Sequence, residues 1–467
     1  MTRINTNIAS LRAQRTLGRN NSDLNMRLER LSTGLKVNTG KDGPAALIAS
    51  ETMRSEIEGL RQAIDNSARA NNVINTAEGA LAEVSNLLLQ VQSLTNEAAN
   101  TGALSDAEIE ANQLQVDEII NSINRISNTT QFNGRMLLNG QLDYRTSGVS
   151  TTNVTDVKIN SAMVPDGGSI NVAVEVTAAS EKARLSYTGT AMSADATLEI
   201  GGQFGIERLT FTSGTAISAV AFAVNQVTSV TGVTASAAGS ALVFNSSEYG
   251  SNQFVTVEAI SGNFAVSANE DTGVDATATI NGVAAEVDGL YAKVRNSNLD
   301  IEVDLTETAG TAATTTSFNI TGGGTRFQIG SQIQNQAQIA IGIGSVNTTQ
   351  LGNNTVGFLS ELSSGGSNSL IGGNTMQAQR ILEEAISEVA TLRGRLGALQ
   401  RNVLETNINS LQIAMENTTA AESTIRDADF ATETAKLTRA QILAQANTSV
   451  LAQANAQPQQ VLALLGA

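Results

Sequence analysis

Three residue types are missing from this 467-residue chain: cysteine, histidine and tryptophan. Without cysteine there is no disulfide, no thiol nucleophile and no thiolate metal site. Without histidine the chain loses the commonest general base and the commonest metal ligand. Carboxylates, serine, lysine and tyrosine could still serve an enzyme, but this composition disfavours one, and we predict no catalytic residue, no cofactor and no metal site. Aromatic residues make up only 3% of the chain, so the core must be aliphatic, as in helical bundles.

Positive charge is also scarce. The formal net charge is −16 and the pI is near 4.6, which argues against nucleic acid and anionic membranes as partners. No apolar run approaches the ~18 residues of a membrane span. The first residues, Met1 to Asn7, lack the apolar segment of a cleaved signal peptide. We therefore expect a cytoplasmic protein, or one exported by a route that reads no such signal.

The clearest positive feature is an apolar stripe at each end of the chain. The first stripe follows one helix face and consists of Leu24, Leu28, Leu31 and Leu35. The second lies in a segment rich in alanine and glutamine and consists of Leu437, Leu443, Val450, Leu451 and Ala454. Isolated helices are marginally stable in water, so these stripes must be covered by each other, by a neighbouring molecule, or by both.

Two long helical segments lie between these ends. Glycine and Pro44 interrupt the chain at 38–44, and Pro44 suits the first turn of a new helix that extends to about Asn100. The apolar seam of that helix is Ile74, Ala77, Leu81, Val84, Leu88 and Val91. Ser105 and Glu108 have the spacing of a capping box for the next helix. A second long helix is predicted from Leu382, Ile386, Val389, Leu392, Leu396, Leu399 and Val403. We predict that the two long helices pack side by side.

The central part of the chain alternates with the two-residue period of strands. Ile170 to Val176 and Leu299 to Leu305 each place apolar residues at every second position. Ile280-Asn281-Gly282-Val283 predicts a hairpin, and 217–227 predicts a short helix. Gly322-Gly323-Gly324 is predicted to be a hinge, after which Phe327, Ile329, Ile339, Ile341 and Ile343 predict a strand pair.

Two possible ligand sites have simpler explanations. The segment from Gly34 to Lys41 superficially resembles a phosphate-binding loop, but its spacing is one residue too long and Asp42 stands where a Ser or Thr is needed. Asp427, Asp429 and Glu433 could be taken for a calcium loop, but they lack its central glycine and terminal glutamate. Acidic residues at the start of a helix explain this cluster better.

Several long motifs at both ends resemble the bacterial flagellins. The N-terminal motifs are 3–7, 31–38 (Leu-Ser-Thr-Gly-Leu-Lys-Val-Asn) and 131–134 (Gln-Phe-Asn-Gly). The C-terminal motifs are 425–431 (Ile-Arg-Asp-Ala-Asp-Phe-Ala), 440–443, 449–455 and 458–462. They cover roughly the first 145 and last 95 residues in the right order. The segment 215–262 resembles a small insertion module of the same proteins.

The resemblance implies the architecture. The predicted fold class is α+β with several domains: a long helical coiled coil or bundle formed by both termini, and a β-rich inserted outer region. The predicted divisions are an N-terminal inner coiled-coil helix in 1–40, a helical rod with a short hairpin in 41–145, a β-rich outer insertion of one or two subdomains in 146–324, a return strand pair and C-terminal rod helix in 325–429, and a C-terminal inner helix in 430–467 that pairs with the first.

The resemblance also implies partners and location. It predicts a homopolymer, export through the type III apparatus of the flagellum, and a secreted, extracellular filament that works with an export chaperone, a cap and hook-junction proteins. Two positions depart from the family pattern. Pro44 stands where small or acidic residues are usual, and Gln90 stands where the surface read by the vertebrate innate receptor carries an arginine, although Leu94 is kept. The missing charge argues against recognition by that receptor.

We therefore predict a structural filament subunit for motility, which polymerises through its terminal helices. The predicted assembly interface is Ile4, Ile8, Leu11, Leu24, Leu28, Leu31, Leu35, Leu437, Leu443, Val450, Leu451, Val461 and Leu464. The nearest alternative is a hook–filament junction protein, which abundance in sheared surface material would distinguish. A filament subunit with an adhesive outer domain is another alternative, whereas a zinc protease in the insertion is excluded because it needs histidine.

Overall fold

The computed structural model describes residues 6–165, 168–296 and 298–465. Long helices form the two ends and strands fill the middle, so the predicted α+β class is confirmed. The helices are α1 (Ile8–Thr33), α2 (Pro44–Ala98), α3 (Asp106–Thr129), α4 (Ile217–Gln226), α5 (Thr228–Thr231), α6 (Glu307–Gly310), α7 (Thr375–Leu399), α8 (Thr406–Arg426) and α9 (Phe430–Leu465). Among the described residues, none of these helices has both the length and the hydrophobicity that crossing a bilayer requires.

The strands are short and antiparallel. They are β1 (Gln131–Phe132), β2 (Arg135–Met136), β3 (Tyr144–Ser147), β4 (Val154–Ala162), β5 (Ile170–Ala178), β6 (Arg184–Thr188), β7 (Ala196–Gly202), β8 (Gly205–Phe211), β9 (Val233–Ala238), β10 (Ala241–Ser246), β11 (Phe254–Ser261), β12 (Glu270–Thr272), β13 (Thr277–Ile280), β14 (Val283–Ala284), β15 (Glu286–Asp288), β16 (Tyr291–Arg295), β17 (Leu299–Leu305), β18 (Thr315–Gly323), β19 (Thr325–Gln328), β20 (Gln338–Ile341), β21 (Gly352–Asn353) and β22 (Gly357–Phe358).

The chain forms two compact units. The terminal unit contains Met1–Asn66, Ile329–Gln332 and Thr406–Ala467, and the central unit contains Ser67–Gln328 and Ile333–Glu405. In the terminal unit, α8 lies antiparallel to the first part of α2, where Arg426 Nη1 is 3.1 Å from Glu51 Oε1. In the central unit, α7 lies antiparallel to the second part of α2, where Arg393 Nη2 is 2.8 Å from Glu78 Oε1.

The heptad seam of α2 forms the helical core of the central unit. Its predicted residues are fully buried: Ile74, Ala77, Leu81, Val84, Leu88 and Val91 are each at most 1% exposed. Helix α2 begins at Pro44, as predicted. The capping box of α3 is also confirmed, since the Ser105 amide donates to Glu108 Oε2 at 2.8 Å. Local sequence patterns thus fix both the ends and the buried face of these helices.

The strands enclose two separate hydrophobic cores, both in the central unit. The enclosing β core includes the five-stranded sheet β14-β13-β5-β18-β3 and the four-stranded sheet β15-β16-β17-β4. The nested β core lies between β5 and β13 in sequence and combines the sheets β6-β10-β9 and β12-β11-β7-β8 with α4. The predicted strands at 170–176 and 299–305, the helix at 217–227 and the hairpin at 280–283 are all confirmed.

The short hairpin predicted within 41–145 forms as β1 and β2, joined by Asn133-Gly134. Three other local predictions are wrong. The predicted hinge is packed: Gly322 and Gly323 lie in β18, and a Cβ on Gly323 would come within 2.2 Å of the Asp143 carbonyl oxygen. The return strand pair does form as β19 and β20, but Ile329 and Ile343 lie outside it.

The third error concerns the long C-terminal helix. Residues Gln400–Glu405 form a π-helical segment between α7 and α8. A π turn takes more residues than an α turn, so the inward face moves along the sequence. Leu404 is therefore buried at 1% exposure, whereas the predicted Val403 is 36% exposed.

Candidate assembly surface on the terminal helices

Helices α1 and α9 lie antiparallel in the terminal unit. Near the start of α1, Asn7 Nδ2 donates to the Ala454 carbonyl oxygen at 2.7 Å, and Ser10 Oγ donates to Asn455 Oδ1 at 2.6 Å. At the other end of α1, Lys36 N donates to the Arg426 carbonyl oxygen at 2.6 Å. Residues later in α1 therefore contact residues earlier in α9, and the two helices contact each other along most of α1.

Small and polar residues occupy the centre of this helix pair. Its buried positions are Ser10, Ala13, Glu433, Ala440 and Ala454, each between 2% and 8% exposed. No leucine of α1 or of the described side chains of α9 is buried to that degree. This differs from the α2 seam, in which Leu81 and Leu88 are 0% exposed. The pair therefore brings its helices together without forming an aliphatic core of its own.

The predicted interface residues divide into three groups. Five are exposed: Ile8 (54%), Leu11 (53%), Leu28 (47%), Leu443 (45%) and Val450 (55%). Five are half-buried beside the helix contact: Leu24, Leu31, Leu35, Leu437 and Leu451. Ile4 lies outside the described residues; Val461 and Leu464 belong to α9, but their side chains lie outside the described part. The helix pair thus partly covers five of the ten described side chains and leaves the other five exposed to solvent.

Sequence analysis missed two exposed apolar residues on α9. Phe430 is 66% exposed at the first position of the helix, and Ile442 is 62% exposed next to Leu443. A signal was available for Ile442, since it directly precedes a stripe residue in a segment without charge. A signal was also available for Phe430, because it is an aromatic residue in a chain that contains few of them.

A buried ion pair fixes the register of α1 against α9. Arg27 Nη1 lies 2.9 Å from Glu433 Oε2, and the Glu433 side chain is 6% exposed. Arg30 Nη1 and Lys436 Nζ add positive charge at 3.9 Å and 3.0 Å from Glu433 Oε1. Burial raises the pKa of Glu433, but the hydrogen bonds from Arg27 and Lys436 outweigh burial and hold the pKa below its ordinary value. Sequence analysis missed this pair because 406 residues separate its members.

The segment after α1 and the segment before α9 serve to end the first helix and to cap the second. Gly34 ends α1 with a φ of 73°, a left-handed conformation that glycine adopts without strain. Asp429 caps α9: its Oδ1 accepts from the Ala431 amide at 2.9 Å and its Oδ2 accepts from Thr432 Oγ1 at 2.7 Å. Among the described residues, no group of three or more acidic side chains is arranged to hold a metal ion. The helix-break and helix-cap interpretations of 34–41 and 427–433 are confirmed.

Comparisons with known families match both ends and part of the middle. Residues 4–143 match the bacterial flagellin N-terminal helical region, and residues 380–465 match the bacterial flagellin C-terminal helical region. Residues 197–248 match the flagellin hook IN motif, which overlaps the module expected at 215–262.

Curated relatives match over nearly the whole chain. The B-type flagellin of Pseudomonas aeruginosa is 32% identical, and the alignment covers 99% of each chain. The flagellins of Salmonella typhimurium and Bacillus subtilis are 28% and 29% identical, again over 99% of each chain. This chain therefore belongs to the bacterial flagellins, the structural, non-enzymatic subunits of the extracellular flagellar filament.

Proposed function

We propose that the exposed apolar side chains of α1 and α9 are the surface through which copies of this chain polymerise. The observation that supports this most directly is the composition of the helix pair. Its centre is filled by alanine, serine and one ion pair, while its leucines lie at the margins or in solvent. A helix pair arranged in this way remains incomplete until other molecules cover its outer faces.

The free energy gained by burying these side chains favours a polymer over a lone molecule. Full burial of a leucine or isoleucine contributes ~1.5–3 kcal/mol. Five predicted interface residues are about half exposed, so covering them would add on the order of 5 kcal/mol per subunit. Ordering backbone costs ~1–2 kcal/mol per residue, which leaves an isolated helix pair with little excess stability. Neighbouring copies would supply the missing stabilisation.

The contact must be heterologous to give a filament. An interface between two different surfaces of the same chain repeats from copy to copy, and it produces an open helical tube when the rotation does not close. The predicted interface residues lie on both terminal helices, so each copy can offer one face to the subunit before it and another to the subunit after it. We assign Ile4, Val461 and Leu464 to the same surface from sequence alone.

We infer the other partners from the resemblance to the family. We infer that an export chaperone covers α9 before assembly, because its exposed side chains include Ile442 and Val450. A cap protein and hook-junction proteins would complete the two ends of the filament, and export would use the flagellar type III apparatus.

We also infer weak recognition by the vertebrate innate receptor. Gln90 is exposed on α2 and carries no charge where the family's recognised surface has an arginine, whereas Leu94 is retained and half-buried. Binding of the receptor ectodomain should increase when Gln90 is replaced by arginine. Equal binding by the two proteins would contradict the inference.

A truncation tests the polymerisation proposal. A chain ending at Asp429 lacks α9 and should remain a soluble monomer that does not sediment under conditions in which the full chain forms filaments. Its central unit should still unfold in the same urea range as that of the full chain, which shows that the loss is one of assembly. If the truncated chain formed filaments visible by electron microscopy, the terminal helices would not be the polymerisation surface.

A further inference from the structure

The face of α1 that points away from α9 carries a row of arginines. Arg12, Arg15 and Arg19 are spaced by three and four residues, which places them within about 60° of one another around a helix of 3.6 residues per turn. All three side chains are exposed. The buried residues Ser10 and Ala13 lie on the opposite side, against α9. Within the described part of the chain, none of these arginines forms an ion pair.

This row is an exception in an acidic molecule. The formal net charge of the chain is −16, yet no aspartate or glutamate precedes Asp23. Like charges three or four residues apart on a helix destabilise it slightly when nothing compensates them. Ile8 and Leu11, both about half exposed, lie beside the arginines on the same helix. The surface is therefore both cationic and apolar, and it fits a partner that offers carboxylates next to aliphatic side chains.

The terminal unit contains such a surface elsewhere. A groove of about 760 Å³ lies on the first part of α2 and is closed on one side by Ser331 and Gln332. Its lining includes aliphatic residues, among them Ile48, which is 69% exposed. Gly59 lets the Ser331 backbone approach closely, since a Cβ at Gly59 would lie 3.2 Å from the Ser331 carbonyl oxygen. The groove is thus shallow, partly apolar and open to solvent.

The groove also carries negative charge. Glu51 and Glu56 both line it. Glu51 is already paired, with Arg54 at 3.0 Å and Arg426 at 3.1 Å. Glu56 is exposed and makes no ion pair with any described residue. An incoming guanidinium group would therefore find an unpaired carboxylate at Glu56 and aliphatic side chains beside it.

We propose that the arginine row of α1 in one copy docks into the α2 groove of a second copy. This inference rests on the proposed function and specifies one contact within the polymer. The second copy is the partner because each chain carries both complementary surfaces, and a contact between two different surfaces is the kind that propagates. Nucleic acid and anionic lipid would meet the same arginines, but the excess of negative charge over the whole chain opposes them.

Charge reversal tests the contact. Arg12, Arg15 and Arg19 are each changed to glutamate, and Glu56 is changed to arginine, alone and in combination with each of the three. The measurement is the critical concentration for seeded polymerisation of the full chain. Each single reversal should raise this concentration about fivefold, and at least one combination should return it to within about twofold of the unmodified chain, as a double-mutant cycle requires.

A matched control separates a specific contact from net charge. Reversing Arg12, Arg15 and Arg19 together should raise the critical concentration at least ~10-fold. Reversing three exposed arginines of the central unit, Arg69, Arg125 and Arg145, changes the net charge equally and should alter it less than about twofold. Equal effects of the two triple variants, or the absence of rescue in every combination with Glu56→Arg, would overturn the proposal.

Two further outcomes are distinguishable. If the triple α1 variant polymerised normally but lost binding to vesicles containing phosphatidylglycerol that the unmodified chain bound, the arginine row would be a lipid-binding face and the proposal would fail. If removal of α9 left polymerisation intact, the proposed function itself would fail. If removal of α9 stopped polymerisation while the arginine variants behaved like the control, only the docking contact would be wrong.

Discussion

Replacement of Ile8, Leu11 and Leu28 by alanine is the sharpest test of the assembly surface. These side chains are 54%, 53% and 47% exposed in the single chain. Full burial of each would contribute ~1.5–3 kcal/mol, so covering the exposed half contributes about 1 kcal/mol per residue. The triple variant should therefore lose about 3 kcal/mol of subunit addition free energy, which corresponds to a roughly 100-fold rise in critical concentration.

The stability of the free chain should change little. Substitutions of exposed residues usually alter the free energy of unfolding by less than about 0.5 kcal/mol, and alanine is a better helix former than isoleucine. The assay is sedimentation of seeded filaments over a series of concentrations, together with urea unfolding of the unpolymerised chain. Together these measurements separate the free energy of assembly from that of folding.

The matched control uses three apolar residues of similar exposure on the outer surface of the elements that enclose the nested β core. Ile206, Phe222 and Ile260 are 61%, 66% and 50% exposed. Their replacement by alanine should change the critical concentration by less than about twofold if their exposure plays no part in assembly. If the two triple variants had the same critical concentration, exposed area on α1 would not drive polymerisation, and the reasoning would be refuted.

Three further predictions concern the helix pair and the β cores. Burial and the facing Asp156 carboxylate raise the pKa of Asp304 to about 6 from 3.8, so the folded chain binds this proton more tightly and loses stability as the pH rises between those values. Asp304→Asn should raise the free energy of urea unfolding by roughly 2–3 kcal/mol at pH 7 and by almost nothing below pH ~4, and an equal gain at both pH values would contradict this. Glu433→Gln should weaken the contact with Arg27 by ~2 kcal/mol at pH values above the ordinary glutamate pKa, and by less in acid. The measurement is amide hydrogen exchange in α1 and α9, which should become faster. Unchanged exchange would show that the ion pair does not hold the two helices together. Replacing residues 182–273 by Asn-Gly should leave a folded chain that still polymerises. Glu181 and Val274 already exchange two backbone hydrogen bonds of 2.9 Å, so a two-residue turn can join them. Unfolding of the enclosing β core, measured by circular dichroism, would show that the two cores are not independent.

Features with a short period could be predicted from the sequence. The buried seam of α2, its start at Pro44 and the hairpin at 280–283 follow from spacing and turn chemistry within a few residues. The need of the terminal helices for a partner also follows, because a narrow apolar stripe on a polar helix is visible without any structure. These features depend on neighbours in the chain, and neighbours are what a sequence displays directly.

Pairings between distant segments could not be predicted. The order β14-β13-β5-β18-β3 joins strands from both sides of the nested core, and many alternating segments of similar composition could have paired instead. The three glycines at 322–324 were predicted to be a hinge because the Asp143 backbone, which lies against Gly323, is far away in sequence. The shift from Val403 to Leu404 depends on a π turn that no residue type marks clearly.

The sequence by itself determined the composition of the core, the long helices with their buried faces, and the requirement for a covering partner at both ends. Only the tertiary structure decided that the terminal pair is centred on alanine, serine and the Arg27–Glu433 ion pair, and that its leucines are left for other molecules. The physical reason is that helical periodicity places side chains on a face. The closeness of the opposing helix, set by contacts more than 400 residues apart in the chain, decides which of them become buried.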